Sequence, residues 1–285
     1  MCIRDRVETA LTQGLPADQL PSHPSHQEFP GEVPSNASRI VRTVSVDGNQ
    51  SGLPSNFGYS SARAHVRMTT GTYAAPGEVV SVTIPPRLVD SGAYILVGAH
   101  SDHLWGKDQL HRHPEIVRWW YVDDTEMEVG NAFGGPIYVA IEPGSTLGIF
   151  EVTISNAVDA PTYNHGETDV EDWIQTHRHA PAPWAEIGSD QFILSVPSHE
   201  IRDLEDPDDL MDWWDQALEM EHELYGFLPW PRVERAVFDA QISAGWMHSG
   251  YPFMAHDLSA PEAVSYTHLR AHETKANLVC RLLLE

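Results

Sequence analysis

Histidine is the residue type most able to do chemistry in this chain, which has 285 residues and 16 histidines. The helical zinc motif His-Glu-x-x-His places two imidazoles on one helix face and a glutamate beside them to activate a bound water. His-Glu pairs begin at His199, His222 and His272. The position where the second histidine belongs holds, in the same order, Asp203, Gly226 and Ala276. The sequence therefore contains no complete motif of this kind.

Two further groups of histidines lie close together in the sequence. One is the segment 100–113, which contains His100, Asp102, His103, His111 and His113, and the other is His177-Arg178-His179. On a strand, His111 and His113 would share a face and could chelate a metal. No residue at a suitable spacing supplies a third ligand. We therefore expect a polar loop after a strand at 95–99, and no zinc bound by this chain.

Three other sequence patterns are better explained by a structural role than by a catalytic or ligand-binding role. The acidic run 203–209 lacks the alternating spacing of a calcium loop and is better placed to cap a helix. The segment Asn131–Gly135 lacks the spacing of a phosphate-binding loop and predicts a tight hairpin turn. Ser249 is outside a Gly-x-Ser-x-Gly turn and is adjacent to His248, so a serine nucleophile is not expected.

The charge balance excludes one class of partner. The chain has 17 Lys and Arg residues against 41 Asp and Glu residues, for a net charge of -24. A surface this acidic repels phosphate backbones. No apolar run approaches the roughly 18 residues of a membrane span. We expect neither nucleic acid as a partner nor a membrane-spanning segment.

Both ends of the chain resemble peptide encoded by a sequencing adapter. Residues 1–6 read MCIRDR and residues 264–268 read VSYTH, and opposite strands of one short DNA element can encode both. The chain's two cysteines, Cys2 and Cys280, lie in these flanks. We predict that 1–6 and 263–285 are adapter-derived and that the chain is a truncated, metagenomic-type fragment.

The elements that must position any site change character along the chain. Residues 7–60 are rich in Pro, Ser, Asn and Gly, which predicts a linker or disordered segment. In 61–165, short apolar runs alternate with turn signals, which is typical of antiparallel strands in a sandwich. In 166–262 helical and strand patterns are mixed, with a helix from Asp208 to about Tyr225. The predicted fold class is α+β, with a β-sandwich-like first half.

Several phrases, in order over residues 67–254, together resemble the enhancin-like, mucin-degrading zinc metallopeptidases of peptidase family M60. They are Thr70–Glu78 with the following strand Val79–Pro85, Val97–Asp102, Asn131–Tyr138, Ala182–Glu186 and Gln241–Pro252. The resemblance implies a gluzincin-type α+β catalytic domain, of which 166–262 would be the truncated start. It also implies one catalytic zinc in the full-length parent, a secreted or cell-surface location, and cleavage of glycoproteins such as mucins.

The sequence departs from the family where the chemistry should be. In the family, the His-Glu-x-x-His helix and a distal glutamate ligand lie downstream of the segment that Met247–Met254 resembles. We therefore assign no catalytic or metal-binding residue here and expect the chain to be inactive. His248, Gly250 and Tyr251 are candidates for the substrate cleft: Gly250 would give backbone room, and the other two would donate hydrogen bonds near an oxyanion. Alternatively, all three pack in a turn before Pro252.

Two other functions fit the sequence. One is a carbohydrate-binding β-sandwich in which some of the nine Trp and nine Tyr residues stack on sugars. Most large aromatic residues are more simply explained as core. The other is a non-catalytic relative of the family that serves as an interaction scaffold.

Overall fold

The computed structural model describes residues 3–52, 61–226 and 231–265. The α-helices are α1 (Ile3–Gln13), α2 (Val170–Gln175), α3 (Pro207–Tyr225) and α4 (Ala260–Val264). The strands are β1 (Arg39–Asn49), β2 (Val66–Ala74), β3 (Val80–Thr83), β4 (Tyr94–Val97), β5 (Arg118–Tyr121), β6 (Glu126–Val129), β7 (Gly135–Ile141), β8 (Thr146–Asp159), β9 (Thr162–Asn164), β10 (Trp184–Gly188), β11 (Phe192–Pro197), β12 (Glu234–Asp239), β13 (Met247–His248) and β14 (Phe253–His256).

The first half forms an eight-stranded sheet in which every pairing is antiparallel. Its strand order is β5-β4-β7-β2-β8-β3-β6, and β1 pairs with β8. Neighbouring residues of β7 point to opposite faces, as the pleat requires. Ile137, Val139 and Ile141 enter the core of this sheet, whereas Tyr138 and Ala140 pack toward β12. Both faces of β7 are therefore covered.

The second half forms a six-stranded mixed sheet of order β13-β14-β12-β11-β10-β9. The β9–β10, β11–β12 and β12–β14 pairs are parallel, and the other two pairs are antiparallel. Parallel neighbours need a crossover connection, which α3 provides between β11 and β12. Trp173 of α2, Leu210 and Met211 of α3, and Val264 of α4 are buried in the core of this half. The α+β fold class is confirmed.

Helix α3 has the ends that its sequence predicts. A carboxylate oxygen of Asp206 accepts a hydrogen bond from the Asp209 N–H, and Pro207 occupies the first helical position. Gly226 ends the helix in the left-handed conformation, with φ of 66°. The acidic run thus caps a helix, as expected.

The turn at Asn131–Gly135 is confirmed, but its hairpin is not. The Gly134 N–H donates to the Asn131 carbonyl at 3.0 Å, which closes a tight turn. The strands on either side, β6 and β7, pair with different neighbours. The prediction of a hairpin is therefore wrong.

The prediction of a linker over 7–60 is wrong for residues 39–49, which form β1. This strand pairs with β8 over most of its length, and Val44 and Val46 turn toward the first sheet's core. Apolar and polar residues alternate along this strand in the sequence, but the polar composition of the surrounding segment masked the pattern. Residues 53–60 of the predicted segment lie outside the described residues. Residues 3–6, assigned to the adapter, begin helix α1.

A buried polar network joins the two sheets. One Glu186 carboxylate oxygen accepts hydrogen bonds from Tyr138 at 2.7 Å, from Ser195 at 2.6 Å, and from the Arg235 guanidinium. Its other oxygen accepts from the Thr69 hydroxyl at 2.6 Å. Because Tyr138 and Thr69 belong to β7 and β2, the network fixes the first sheet against the second.

Within the described ranges, no helix combines the length and apolar character that crossing a bilayer requires.

Candidate functional site

Two loops meet where β4 and β12 end, and they contain most of the residues that the sequence analysis singled out. The first loop covers 98–117, and the second covers 240–252 and includes the short strand β13. Gly98 begins the first loop with φ of +109°, and a Cβ there would lie 3.0 Å from the Ile116 carbonyl oxygen. A Cβ on Gly135 would lie 2.5 Å from the Gly98 Cα. Only glycine allows this close approach, so these two residues fix the start of the first loop.

Asp102 and His248 connect the loops. The His248 Nε2 lies 2.8 Å from the Asp102 Oδ2, and its Nδ1 lies 3.0 Å from the Ser249 carbonyl oxygen. The Ser243 N–H donates to the same Asp102 oxygen at 2.6 Å. Since both imidazole nitrogens face acceptors, the arrangement favours the doubly protonated, charged ring. Ser243 Oγ lies 3.2 Å from Nε2, the nitrogen that Asp102 also contacts, so the three do not form a catalytic triad.

The electrostatics of this pair follow from its contacts. Burial opposes the charge on His248, but the Ser249 carbonyl and the Asp102 carboxylate outweigh it and raise the pKa of His248. Burial likewise opposes the Asp102 charge, but His248 and the Ser243 N–H lower the pKa of Asp102. Each partner therefore favours the charged form of the other.

This ion pair predicts a pH dependence of stability. A histidine whose folded pKa is raised stabilises the fold fully below its unfolded pKa of about 6.5, and this contribution is lost as pH rises through the folded pKa. From pH 6.5 upward, the wild type should lose more unfolding free energy than Asp102→Asn, in which the carboxylate charge is absent. Urea unfolding across this window checks it. Equal losses in both proteins would show that the pair does not raise the pKa.

Arg112 holds the first loop to the end of β12. Its guanidinium forms two hydrogen bonds of 2.7 Å with the Asp239 carboxylate, and both side chains are fully buried. The same guanidinium donates to the backbone carbonyls of His113 and Asp102 at 2.8 and 3.0 Å. The buried Arg112–Asp239 ion pair thus positions the backbone of His113 and of Asp102.

His100 lies in the first loop, but its side chain is in the core, so the prediction of polar surroundings is wrong for this residue. Its side chain is packed between Phe29 and Trp184, with ring centroids 4.7 and 4.2 Å away, and the residue is only 1% exposed. Burial lowers its pKa to about 4. His100 is therefore a neutral core histidine at pH 7. Part of its enclosure comes from Phe29, in the segment predicted as a linker.

A pocket opens beside these loops, and an aromatic strip continues from it. The pocket is lined by His100, Ser101, Asp102, His103, Glu115, Ile116, Val117 and Trp119. Trp119 packs edge-on against His65 and Tyr94, and Tyr94 packs against Tyr121. Trp119 and Tyr121 are 41% and 40% exposed. These four residues form what we call the aromatic strip.

The three predicted cleft residues do not all present groups to one surface. The Tyr251 hydroxyl accepts a hydrogen bond from the buried Arg67 N–H at 3.1 Å, and the Arg232 guanidinium lies 3.9 Å from the Tyr251 ring centroid. Gly250 has φ of +145°, which favours glycine. Only His248 lies at the junction of the loops, and its side chain is 25% exposed. Assignment of these residues to a substrate cleft stays a prediction.

His111 and His113 do not lie on a strand, so they do not form the chelating pair that the sequence allowed. His111 is exposed, whereas His113 meets Glu8 and His23, whose potential ligand atoms all lie within 4.8 Å of one another. This is the one group of three such residues in the described part of the chain. Sequence reasoning missed it because Glu8 and His23 are distant in sequence and belong to the predicted linker.

Comparisons with known proteins agree with this architecture. The family model for the N-terminal domain of M60-like peptidases matches residues 35–155, and the model for peptidase M60, enhancin and enhancin-like, matches residues 156–274. Bos taurus TRPM8 channel-associated factor 2 is 40% identical over 205 residues, which cover 72% of this chain and 22% of that protein. The chain thus spans about a fifth of the length of the curated relatives it matches.

Two solved structures share the fold. Pseudomonas aeruginosa IMPa, in complex with an O-glycopeptide, superposes with a TM-score of 0.54 at 18% identity, over 84% of this chain and 30% of that one. The M60 catalytic domain of Clostridium perfringens ZmpC, in complex with the sialyl T antigen, gives a TM-score of 0.58 at 11% identity, over 78% and 49% of the two chains. At these identities the likeness concerns the fold alone.

Proposed function

Because the chain belongs to the family of M60, enhancin and enhancin-like peptidases, we propose that it is the N-terminal portion of a zinc metallopeptidase that cleaves glycoproteins such as mucins. The observation that carries this proposal is the order of the two family matches, which run without a gap over residues 35–274. The complexes of IMPa with an O-glycopeptide and of ZmpC with the sialyl T antigen support a glycosylated substrate. Since such substrates are found outside cells, we also propose a secreted or cell-surface location.

The residues of this chain do not fit the catalytic zinc of such an enzyme. None of the three His-Glu pairs in the sequence is completed by a second histidine. We therefore derive no catalytic step through zinc here and propose that the chain by itself does not cleave protein. The ligands and the general base would come from sequence downstream of this chain.

In the complete enzyme, His248 would act as a positioning residue. Its two ring nitrogens face Asp102 and the Ser249 carbonyl, so it has no free N–H to offer an oxyanion. Instead it fixes Met247–Met254, the segment that resembles the family sequence just before the zinc-binding helix. Small displacements of such a segment reduce reaction rates strongly because catalysis depends on the alignment of the reacting groups.

In the protein encoded by the uncut gene, His248→Ala and Tyr251→Phe should each lower kcat/KM for a glycopeptide by about tenfold, or about 1.4 kcal/mol. His248→Ala leaves the Ser243 N–H as the second loop's remaining contact with Asp102, and Tyr251→Phe leaves the Arg67 N–H without its acceptor. Zinc content should not change. Partial recovery by His248→Gln, which keeps a hydrogen-bond donor toward Asp102, would identify the role as positioning. Unchanged kinetics in both first variants would remove these residues from the mechanism.

Sequence identity favours a second candidate, a non-catalytic interaction scaffold. The matched relative from Bos taurus is named as a channel-associated factor, and its 40% identity exceeds the 18% and 11% of the two peptidase structures. The uncut gene beyond codon 262 separates the two candidates. His-Glu-x-x-His followed by a further glutamate ligand would support the peptidase, whereas an uninterrupted frame without the motif would support the scaffold.

The aromatic strip supports contact with carbohydrate in either case. Most tryptophans and tyrosines that the structure describes are at least partly buried, but Trp119, Tyr121 and Trp246 are exposed. Of these, Trp119 lines the pocket and Tyr121 belongs to the aromatic strip. An aromatic ring with a polar edge suits a ligand that is partly apolar and partly hydrated, as a sugar is. The strip would then bind glycan on the substrate of a peptidase or on the partner of a scaffold.

A further inference from the structure

Three parts of the chain converge at the group of Glu8, His23 and His113. Glu8 lies on α1, His23 immediately precedes a short 3-10 helix (Pro24–Gln27), and His113 lies in the first loop. The His23 backbone N–H donates to the Ala132 carbonyl at 2.8 Å, which holds His23 against the first sheet. The group is therefore built on segments that are anchored separately.

The His113 imidazole is oriented as metal-binding imidazoles are. Its Nδ1 lies 2.8 Å from the Glu115 carbonyl oxygen and 3.2 Å from the Glu115 backbone nitrogen. In the tautomer that donates to this carbonyl, the proton is on Nδ1 and the lone pair is on Nε2. The Nε2 atom is buried and has no hydrogen-bond partner among the described residues. Burying a polar atom without a partner costs free energy of folding. A ligand that binds the Nε2 of His113 would remove this cost.

His23 is oriented in a similar way. Its Nδ1 lies 2.8 Å from the Ser25 hydroxyl oxygen and accepts a hydrogen bond from the Ser25 N–H at 3.3 Å. The hydroxyl can donate or accept, so a proton on Nδ1 would also have an acceptor there. Its Nε2 lies 3.3 Å from the Glu8 Oε2. Zn–N and Zn–O distances of about 2.0–2.1 Å place two ligand atoms of a tetrahedral site about 3.3 Å apart. His23 and Glu8 already have this separation.

The surroundings suit a bound cation with one open position. The Phe133 ring lies 4.8 Å from the His23 ring and 4.7 Å from the His113 ring, and the edge of Trp105 also contacts His113. The side chains of His23 and Glu8 are 22% and 28% exposed, which leaves access from solvent.

We propose that Glu8, His23 and His113 bind a divalent transition metal such as zinc, with water in the fourth position. Two imidazoles and one carboxylate are a ligand set that zinc accepts. The potential ligand atoms lie within 4.8 Å of one another. Small side-chain movements would bring them to the separation of about 3.3 Å that a tetrahedral site requires. The bound metal would fasten α1 and the 3-10 helix to the first loop. This proposal replaces the expectation that the chain binds no zinc.

Metal titration of the untagged chain 1–285 tests this site. After treatment with a chelator and dialysis, the protein should take up one zinc per chain and show a higher Tm with zinc than without. Cobalt should give the intense visible absorption of a tetrahedral site. Glu8→Gln, His23→Ala and His113→Ala should each weaken zinc binding at least tenfold. Because the Glu8 side chain is partly exposed, Glu8→Gln gives a clear result even if a histidine variant folds poorly.

His103→Ala is the matched control. His103 lies in the same loop, near Glu115, but its side chain is 66% exposed and it is not among the three ligands. Its zinc affinity should equal that of the wild type. The proposal is overturned if the wild type binds no stoichiometric zinc, or if Glu8→Gln and His23→Ala bind zinc as tightly as the wild type does.

Discussion

Arg235→Met is expected to lower the free energy of unfolding by about 3–5 kcal/mol, because it leaves the Glu186 carboxylate buried without its cationic partner. The Arg235 side chain is fully buried. Its guanidinium donates to Glu186, to the Thr69 hydroxyl at 2.9 Å and to the Arg67 carbonyl at 3.0 Å. The substitution therefore disrupts the network between the two sheets.

Urea unfolding of the wild type and the variant measures this loss. Arg39→Met is the matched control, since Arg39 forms a partly exposed pair with Glu78 at 2.6 Å and should cost only about 0.2–1 kcal/mol. Adding Glu186→Gln to Arg235→Met should restore part of the loss, because the uncompensated charge is removed. Similar losses in Arg235→Met and the control would contradict the assignment of the network as the connection between the sheets.

Lowering the pH from 6.5 to about 4 is expected to remove about 3 kcal/mol of stability through His100 alone. Burial lowers the pKa of His100 from 6.5 to about 4. For a histidine with a lowered folded pKa, the stabilisation is complete above the unfolded pKa and is lost as the pH falls toward the folded pKa. In this interval the unfolded chain binds a proton that the folded His100 does not.

His100→Gln separates this effect from the titration of carboxylates. Stability is measured by urea unfolding at intervals between pH 7 and pH 4, and the slope against pH is compared, whatever the variant's absolute stability. The variant should show a shallower slope than the wild type. His199→Gln, at an exposed position, controls for the substitution itself. If the slopes of His100→Gln and the wild type coincide, His100 does not remain neutral in the folded protein.

Local sequence signals predicted the elements whose boundaries are set locally. Asp206 and Pro207 mark the start of α3 because an N-cap and a first-turn proline act within a few residues. Short apolar runs between turn signals predicted the antiparallel strands of the first half. Strand β1 was missed because its alternation lies in a polar segment, and its stability comes from pairing with the distant β8.

The candidate sites were less predictable because their partners are far apart in the chain. Asp102 and His248 are separated by 146 residues, and no spacing rule links them. Nothing near His100 in the sequence indicates that Phe29 and Trp184 enclose it. Likewise, His113 acquires its partners only when α1 packs near the first loop. Such contacts follow from the topology, which local patterns do not determine.

Mass spectrometry of a defined O-glycosylated peptide, incubated with the protein encoded by the uncut gene, tests most directly whether this chain is part of a peptidase. We expect cleavage of the peptide bond near the glycan, loss of cleavage on chelation of zinc, and no cleavage by the chain 1–285. The same peptide without glycan should be a poorer substrate. An intact glycopeptide after prolonged incubation with the folded, zinc-loaded protein would contradict the peptidase assignment and favour the scaffold.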